Sequence, residues 1–504
     1  MSHVVVVGAG LSGLAAACHL VGAGHRVTVL EREDVPGGRA GRLERGGFTF
    51  DTGPTVLTMP DLIDRPLRAA GSSLAERLDL QLLDPAYHAF FADGSELTVR
   101  HGHEAMRAEI ERECGSADAA AFDDFVVWLR KLYQAEMPHF IDRNFDSPAD
   151  LLARPRAAAQ LVTMGGFGRL GPTIRRRFQD ERLHRLFSFQ AMYAGLAPDE
   201  ALAIYAVITY MDSIEGVYFP RGGMRAVPEA LAGAASDAGA EFRYGTTVTQ
   251  LLRDGRGPRR TLPGRGTGGR VRGVVTQDGE VVAADAVVCT LDLPTAYEQL
   301  LPDLRPPRGV GGVMGGDYSP SAVVWHVGVR GVAEGKAHHN IHFGHEWAGA
   351  FEDLLKRGTL MGDPSRLVTL HSLDDEDAAP DGHSTLYVLE PVPNLDVGTV
   401  DWERERGPMR ERLLGFLEGA GYPTDVVEEE LVTPLEWQRL GMAAGTPFAL
   451  AHTFAQTGPF RPSNVDRRVP GLVFAGSGTV PGVGVPMVLP SGRLAALRVQ
   501  EMVG

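Results

Sequence analysis

Residues 4–31 read VVVVGAGLSGLAAACHLVGAGHRVTVLE. Val4–Val7 is a run of β-branched apolar residues, the pattern of a strand buried on both faces. It enters Gly8-Ala9-Gly10-Leu11-Ser12-Gly13. An Ala-rich helix pattern follows from Leu14 to about Val21 and ends near Gly22 or Gly24. Val27–Leu30 is a second strand, closed by Glu31. Strand, glycine loop, helix, strand and acid in this order make a βαβ unit of about 30 residues. Gly8 allows the tight turn, Gly10 admits a pyrophosphate to the backbone, and Gly13 lets helix pack on strand. The helix N-terminus offers free N–H groups and a positive dipole end to phosphate. Glu31 stands 18 residues beyond Gly13, near the spacing of a ribose-binding carboxylate, and disfavours a 2′-phosphate. A glycine-rich turn without a ligand does not require the whole order. The fold class predicted is α/β, with a Rossmann-like dinucleotide domain.

Working outward, Arg32-Glu33-Asp34-Val35-Pro36-Gly37-Gly38-Arg39 supplies a second glycine cradle, with a cation for phosphate. NAD dehydrogenases usually lack such a loop, and it is similar to the one in flavoproteins of the amine-oxidase type. Phe48 to Thr55 reads as a short strand entering the turn Gly53-Pro54-Thr55. At the far end, Leu472–Phe474 opens into Gly476-Ser477-Gly478-Thr479, then runs through Gly484-Val485-Pro486 to a closing helix over about Ser491–Met502. Each turn alone is plain loop geometry. Together they point to FAD, with a C-terminal glycine turn returning to an N-terminal nucleotide fold.

The 504 residues allow about two to four domains. With 44% hydrophobic and 22% charged residues, the chain is neither disordered, collagen-like nor a disulfide-stapled miniprotein. A net charge of −15 excludes a general nucleic-acid binder. Cys18, Cys114 and Cys289 form no CxxC pair, which argues against a disulfide framework or structural zinc and for a reducing compartment. The N-terminus goes straight into a strand pattern without a secretory signal, and no stretch of 18 or more apolar residues occurs. The expected location is cytoplasmic, soluble or peripheral to a membrane.

Seven further stretches carry a family resemblance: 8–20, 34–60, 186–224, 338–344 (HHNIHFG), 386–396, 460–466 (FRPSNVD) and 476–486 (GSGTVPGVGVP). YFPRGGM at 218–224, followed by PEAL at 228–231, is far more specific than the nucleotide loop. Over nearly its whole length the chain resembles the bacterial-type phytoene desaturases of the carotenoid desaturase family. The resemblance implies an FAD enzyme that removes hydrogen from a long C40 polyene at a membrane surface. It also implies reoxidation by a quinone or oxygen, and an adenine contact from the backbone near Val248. Two departures, Val480 where many members carry His and Pro490-Ser491-Gly492-Arg493 in the closing motif, sit near the expected flavin end. They bear on product rather than cofactor. No catalytic side chain is named, because hydride removal needs an acceptor, orientation and exclusion of water more than strong acid–base groups.

The FAD domain is expected to be discontinuous, over 1–66, 217–294 and 464–504. A largely helical insertion, 67–216, is expected to serve docking and substrate entry. A mixed-sheet substrate domain over 295–463 is expected to cover the flavin. Within these, strands are read at Val281–Cys289, Ala322–Val329 and Leu386–Leu389, a hairpin loop over Arg256–Arg270, and helices at Val227–Ala238 and Met409–Gly419. Leu151–Gln190 holds eight arginines, among them Arg154, Arg156, Arg175, Arg182 and Arg185, against two acids, a net of +6 mixed with apolar residues. Such a segment suits an anionic lipid surface, at about 1 kcal/mol per cation; the alternative is a solvated helical face. His338, His339, His342 and His345 lack a helical HExxH pattern, so no metal is expected. Asp374–Asp377 lacks the ligand spacing of a calcium loop. An amine oxidase would call for a covalent Cys or an aromatic cage, and a non-redox lipid escort of this architecture would not need every phosphate and ribose contact.

Overall fold

The computed structural model describes residues 1–153, 155–254, 268–307 and 316–504. Arg154 and most of the expected hairpin loop over Arg256–Arg270 lie outside the described residues.

The opening βαβ unit builds the centre of a five-stranded parallel sheet. Its strands run in the order Leu472–Phe474, Ala286–Cys289, His3–Val7, Arg26–Leu30 and Glu241–Arg243. Val4 registers with Ala286 on one side and Val27 on the other, and all three are buried. Helix Leu11–Gly22 packs against helices Ala226–Asp237 and Val485–Val503. Gly492 lets the last of these approach closely, since a Cβ there would stand 2.3 Å from the Ser12 carbonyl oxygen. Cys18 and Cys289 are buried in this core.

Two sequence readings need correction here. Val281–Cys289 is two strands, not one. Val281–Ala283 pairs antiparallel in a three-stranded sheet with Val271–Thr276 and Val248–Arg253. Ala286–Cys289 then joins the parallel sheet. Asp285 makes the corner: its N–H donates to the His3 carbonyl and its carboxylate accepts the His3 N–H, both at 2.8 Å. The closing helix begins at Val485 rather than Ser491. Pro486 fits its first turn, where an N–H has no partner to lose.

A seven-stranded mixed sheet faces the nucleotide half. Its order is Asp425–Val432, Ser321–Arg330, His383–Val392, Arg366–Thr369, His339–Phe343, Tyr87–Phe91 and Glu96–Val99. Neighbours are antiparallel except His339–Phe343 with Tyr87–Phe91. Three strands therefore lie within 67–216, read from sequence as largely helical. Leu80–Leu83 pairs with Val217–Pro220, and the other two enter this sheet. Tyr87–Phe91 alternates buried and half-buried positions, the period of a strand. Helix Trp402–Gly419 also starts earlier than read, because Asp401 caps it and Pro408 is accommodated inside. From His103 onward the described part of the insertion is largely helical, with Phe122, Phe125, Leu129 and Leu132 in its core.

Candidate active site

The two N-terminal glycine loops dock on one another. The Gly37 N–H donates to the Ala9 carbonyl at 2.9 Å, and Gly10 and Gly37 form a parallel bridge. Gly38 has φ +58, and a Cβ on it would stand 3.2 Å from Gly10 Cα. Glu31 is buried beside them. Its carboxylate accepts the N–H groups of Ala9 at 2.6 Å and Glu33 at 3.0 Å. Arg39 donates to the Pro447 carbonyl and the Ser477 hydroxyl, both at 2.8 Å. Among the described residues no carboxylate pairs with it, and burial lowers its pKa. Side-chain-free backbone next to a half-buried guanidinium suits a pyrophosphate. The residues present therefore fit FAD.

Arg461 organises the C-terminal turn. Fully buried, it donates to the carbonyls of Leu450, Gln456, Ser477 and Thr479. Burial lowers its pKa to about 10. The Gly476 N–H donates to the Ser491 hydroxyl at 3.0 Å. On the other side of the site, the Asp51 carboxylate accepts the Met224 N–H at 2.9 Å, joining the turn after Phe50 to the PRGGM segment. Burial raises Asp51 to about 7.

One cavity of about 1510 Å³ is lined by Gly8, Gly10, Leu11, Ser12, Glu31, Arg32, Gly37, Gly38, Arg39, Gly53, Pro54, Thr55, Val248, Gly476, Gly484, Val485 and Pro486. Three sequence-predicted residues do not line it. Gly13 serves packing only: a Cβ there would stand 2.1 Å from the Gly8 carbonyl oxygen. Gly478 turns toward Asp292 and Leu293. Thr479 is buried, donating its hydroxyl to the Pro462 carbonyl. Val480 and Pro490 to Arg493 also stand outside the wall. Arg493 instead pairs with Asp142 at 2.6 Å.

Single-ligand pockets usually hold about 300–1,000 Å³. This cavity exceeds that range and continues past the nucleotide loops along Tyr87, Phe189, Tyr193, Ile341, Phe343 and Trp347. Phe167, Phe454 and Phe460 also line it, yet are 43%, 56% and 39% exposed, and so rim an opening.

Two carboxyls in this wall escaped the sequence reading. Glu136 ends helix Ser116–Glu136, just before a π-helical turn over Met137–Ile141. Among the described residues nothing hydrogen-bonds to it, and burial alone pushes its pKa well above the ordinary carboxylate range. Its signal was present, since Phe122, Phe125, Leu129, Leu132 and Glu136 keep one apolar i, i+3/i+4 register. Asp212 lies in a second π-helical turn, Tyr210–Ile214. It accepts from Gln190 at 3.3 Å and Ser213 at 2.9 Å, and burial raises its pKa to about 7. Asp212 lies within a π-helical turn and Glu136 borders one, a feature frequent at functional sites.

The histidine run has structural partners. His338 meets Asp374 at 2.7 Å, His339 meets Thr369 at 3.0 Å, and His342 meets Tyr422 at 2.9 Å. Burial pushes His342 down to about 3 and His339 well below its ordinary value.

The model of the flavin containing amine oxidoreductase family matches residues 11–500. A Streptomyces griseus protein named phytoene dehydrogenase is 52% identical, over 99% of this chain and 95% of its own. A zeta-carotene-forming phytoene desaturase of Myxococcus xanthus is 37% identical, over 98% and 93%. The chain belongs to the flavin-containing amine oxidoreductases, in their bacterial phytoene desaturase branch. An oxidoreductase structure from Methanosarcina mazei shares the fold, with a TM-score of 0.60 at 18% identity, covering 99% of this chain and 100% of its own. FAD is the cofactor, and the chain is an FAD-dependent oxidoreductase.

Proposed function

We propose that this chain desaturates phytoene, carrying it through several steps to lycopene, with a quinone or oxygen as terminal electron acceptor. One observation carries the reading: a single cavity joins the dinucleotide loops to a long wall of aromatic and aliphatic side chains. The names of the two relatives supply the substrate class. Bound between the glycine loops, FAD supplies a two-electron acceptor for hydride. The protein holds it with the backbone of Gly8, Gly10, Gly37 and Gly38, the Arg39 guanidinium and the Glu31 carboxylate. Phe189, Phe343 and Trp347 line the path of an apolar chain and exclude water from it. The intact phosphate and ribose contacts disfavour a non-redox lipid escort.

We propose further that the enzyme works as a peripheral protein on the cell membrane. Among the described residues no helix is long and apolar enough to cross a bilayer. Support comes from the exposed Phe167, Phe454 and Phe460 at the cavity opening, with Val162 nearby in sequence and 62% exposed. The arginine segment contributes less charge to this surface than its composition implies. Arg175, Arg182 and Arg185 pair with Asp199, Asp180 and Glu181.

The test is expression in a bacterium engineered to accumulate phytoene, followed by pigment chromatography. A lycopene spectrum supports the reading. Unchanged phytoene beside folded, flavin-loaded protein overturns it and directs the search to C30 precursors or later carotenoid intermediates.

A further inference from the structure

Desaturation removes hydrogen from two adjacent carbons. One leaves as hydride with two electrons, which the FAD of this family accepts. The other leaves as a proton, and the electron pair of its C–H bond becomes the new π bond. That proton requires an acceptor in a wall that is otherwise largely apolar.

We propose that the acceptor is the Asp212 carboxylate, which takes the proton from the carbon neighbouring the hydride donor and returns it to solvent between turnovers. This rests on the functional reading above. The placement is specific. Asp212 is 2% exposed and lines the cavity. Gln190 and Ser213 hold its two oxygens, and no cation pairs with it among the described residues. Its titratable neighbours are the phenols of Tyr87 and Tyr193. Tyr87 leads toward the predicted flavin turn. Its ring lies 5.6 Å from His339, whose Nδ1 meets Thr369 Oγ1 at 3.0 Å, and Thr369 reaches Thr55 Oγ1 at 3.3 Å. Tyr193 leads toward the C-terminal turn. The carbonyl of the adjacent Ala194 accepts the His452 N–H at 2.8 Å, and the His452 ring packs on Gly482. Contacts thus run from the two tyrosine neighbours of the carboxylate to the Gly53-Pro54-Thr55 turn and to the C-terminal turn.

The other wall groups suit the task less well. Glu136 has no donor to stabilise its anion, and burial pushes its pKa well above the ordinary carboxylate range. The phenols of Tyr87 and Tyr193 are pushed up by burial and remain protonated. His326 is pushed down to about 4, a weak base. Asp212, buried but hydrogen-bonded, sits at about 7, where a general base is most effective.

The experiment compares wild type, Asp212→Asn and Asp212→Glu as FAD-loaded enzymes supplied with phytoene in liposomes. A parallel infrared titration follows carboxylic-acid carbonyl bands in each protein without substrate. The Asn variant is expected to keep its FAD and its KM and to lose about 10²–10⁴-fold in kcat. Wild-type turnover should fall on the acid side of neutrality, and that limb should vanish in the Asn variant. The Glu variant should recover part of the rate. Two carboxyls, Asp51 and Asp212, should give infrared bands titrating near neutral pH in wild type, and only the one from Asp51 should remain in the Asn variant. An FAD-loaded Asn variant within fivefold of wild type, or no difference in the infrared titration, overturns the proposal. If wild type leaves phytoene untouched, the substrate reading fails instead, and the infrared titration alone decides whether Asp212 is the poised carboxyl.

Discussion

The nucleotide half and the substrate half meet in one cavity but are built on opposite principles. The nucleotide half lines the cavity mainly with glycine backbone, so its requirements concentrate in short runs such as 8–13 and 37–39. The substrate half presents side chains from strands and helices distant in sequence: Tyr87, Glu136, Asp212, Phe343 and Trp347 share one wall. Backbone recognition tolerates almost no added atom. A side-chain wall tolerates repacking but holds polar groups under strain from burial.

Four measurements press on this contrast. The largest effect is expected for Gly13→Ala. Its Cβ would stand 2.1 Å from the Gly8 carbonyl oxygen and 3.2 Å from Thr290 Cγ2, with backbone unable to yield. The loss should reach about 4 kcal/mol or more, with FAD no longer retained after gel filtration. Retention of FAD at wild-type stability would show that the loop is not the rigid cradle described.

The second effect is acid destabilisation centred on the substrate half. His326, His339, His342, His371 and His452 are held below 6.5 by burial. As pH falls below 6.5 the unfolded chain binds protons that the folded chain refuses, so stability present above 6.5 is lost. Each imidazole contributes up to about 1.4 kcal/mol per pH unit. Asp51 and Asp212, raised to about 7, oppose this, because their folded forms take protons first as pH falls. So does Glu136, raised by burial alone. Burial also lowers His3 and His19 in the nucleotide half, so seven imidazoles, five of them in the substrate half, outweigh three carboxyls. Thermal melting should show a net drop from pH 7 to 5.5 that is similar with and without FAD. A drop seen only in the holoenzyme would move its origin to the nucleotide half.

Third, Arg39→Met should weaken FAD binding by about 10–100-fold, the worth of hydrogen bonds from a charged donor at roughly 1.5–3 kcal/mol. Fluorescence titration of the apoprotein measures it, and an unchanged Kd would remove Arg39 from the phosphate site. The smallest effect has the opposite sign. Glu136→Leu replaces an unpartnered buried carboxyl with an apolar side chain and should stabilise the protein by about 1–3 kcal/mol. A destabilised variant would mean that the carboxyl has a partner in solution.

The contrast also explains which elements could be read in advance. The strand Val4–Val7, the helix after it and Glu31 follow from local pattern. Helix starts at Val485 and Trp402 were missed because Pro490 and Pro408 look like breakers, whereas capping and packing hold those helices together. The corner at Asp285 was missed because a continuous apolar run carries no mark of a change of sheet. Glu136 stood in a legible register, as an acid at an apolar position. Asp212 carried no such mark, since its surroundings come from Tyr87 and Gln190.

By itself the sequence determined the parallel nucleotide fold and the dinucleotide loops, because glycine spacing, β-branched runs and a ribose acid are local constraints. Its specific motifs also determined the family. Only the tertiary structure decided that Gly478 and Thr479 stand outside the cavity wall, and that the first insertion lends strands to the substrate sheet. It alone placed two buried carboxyls beside an apolar path. Burial and charge environment depend on what packs against a residue, and no run of neighbouring letters specifies that.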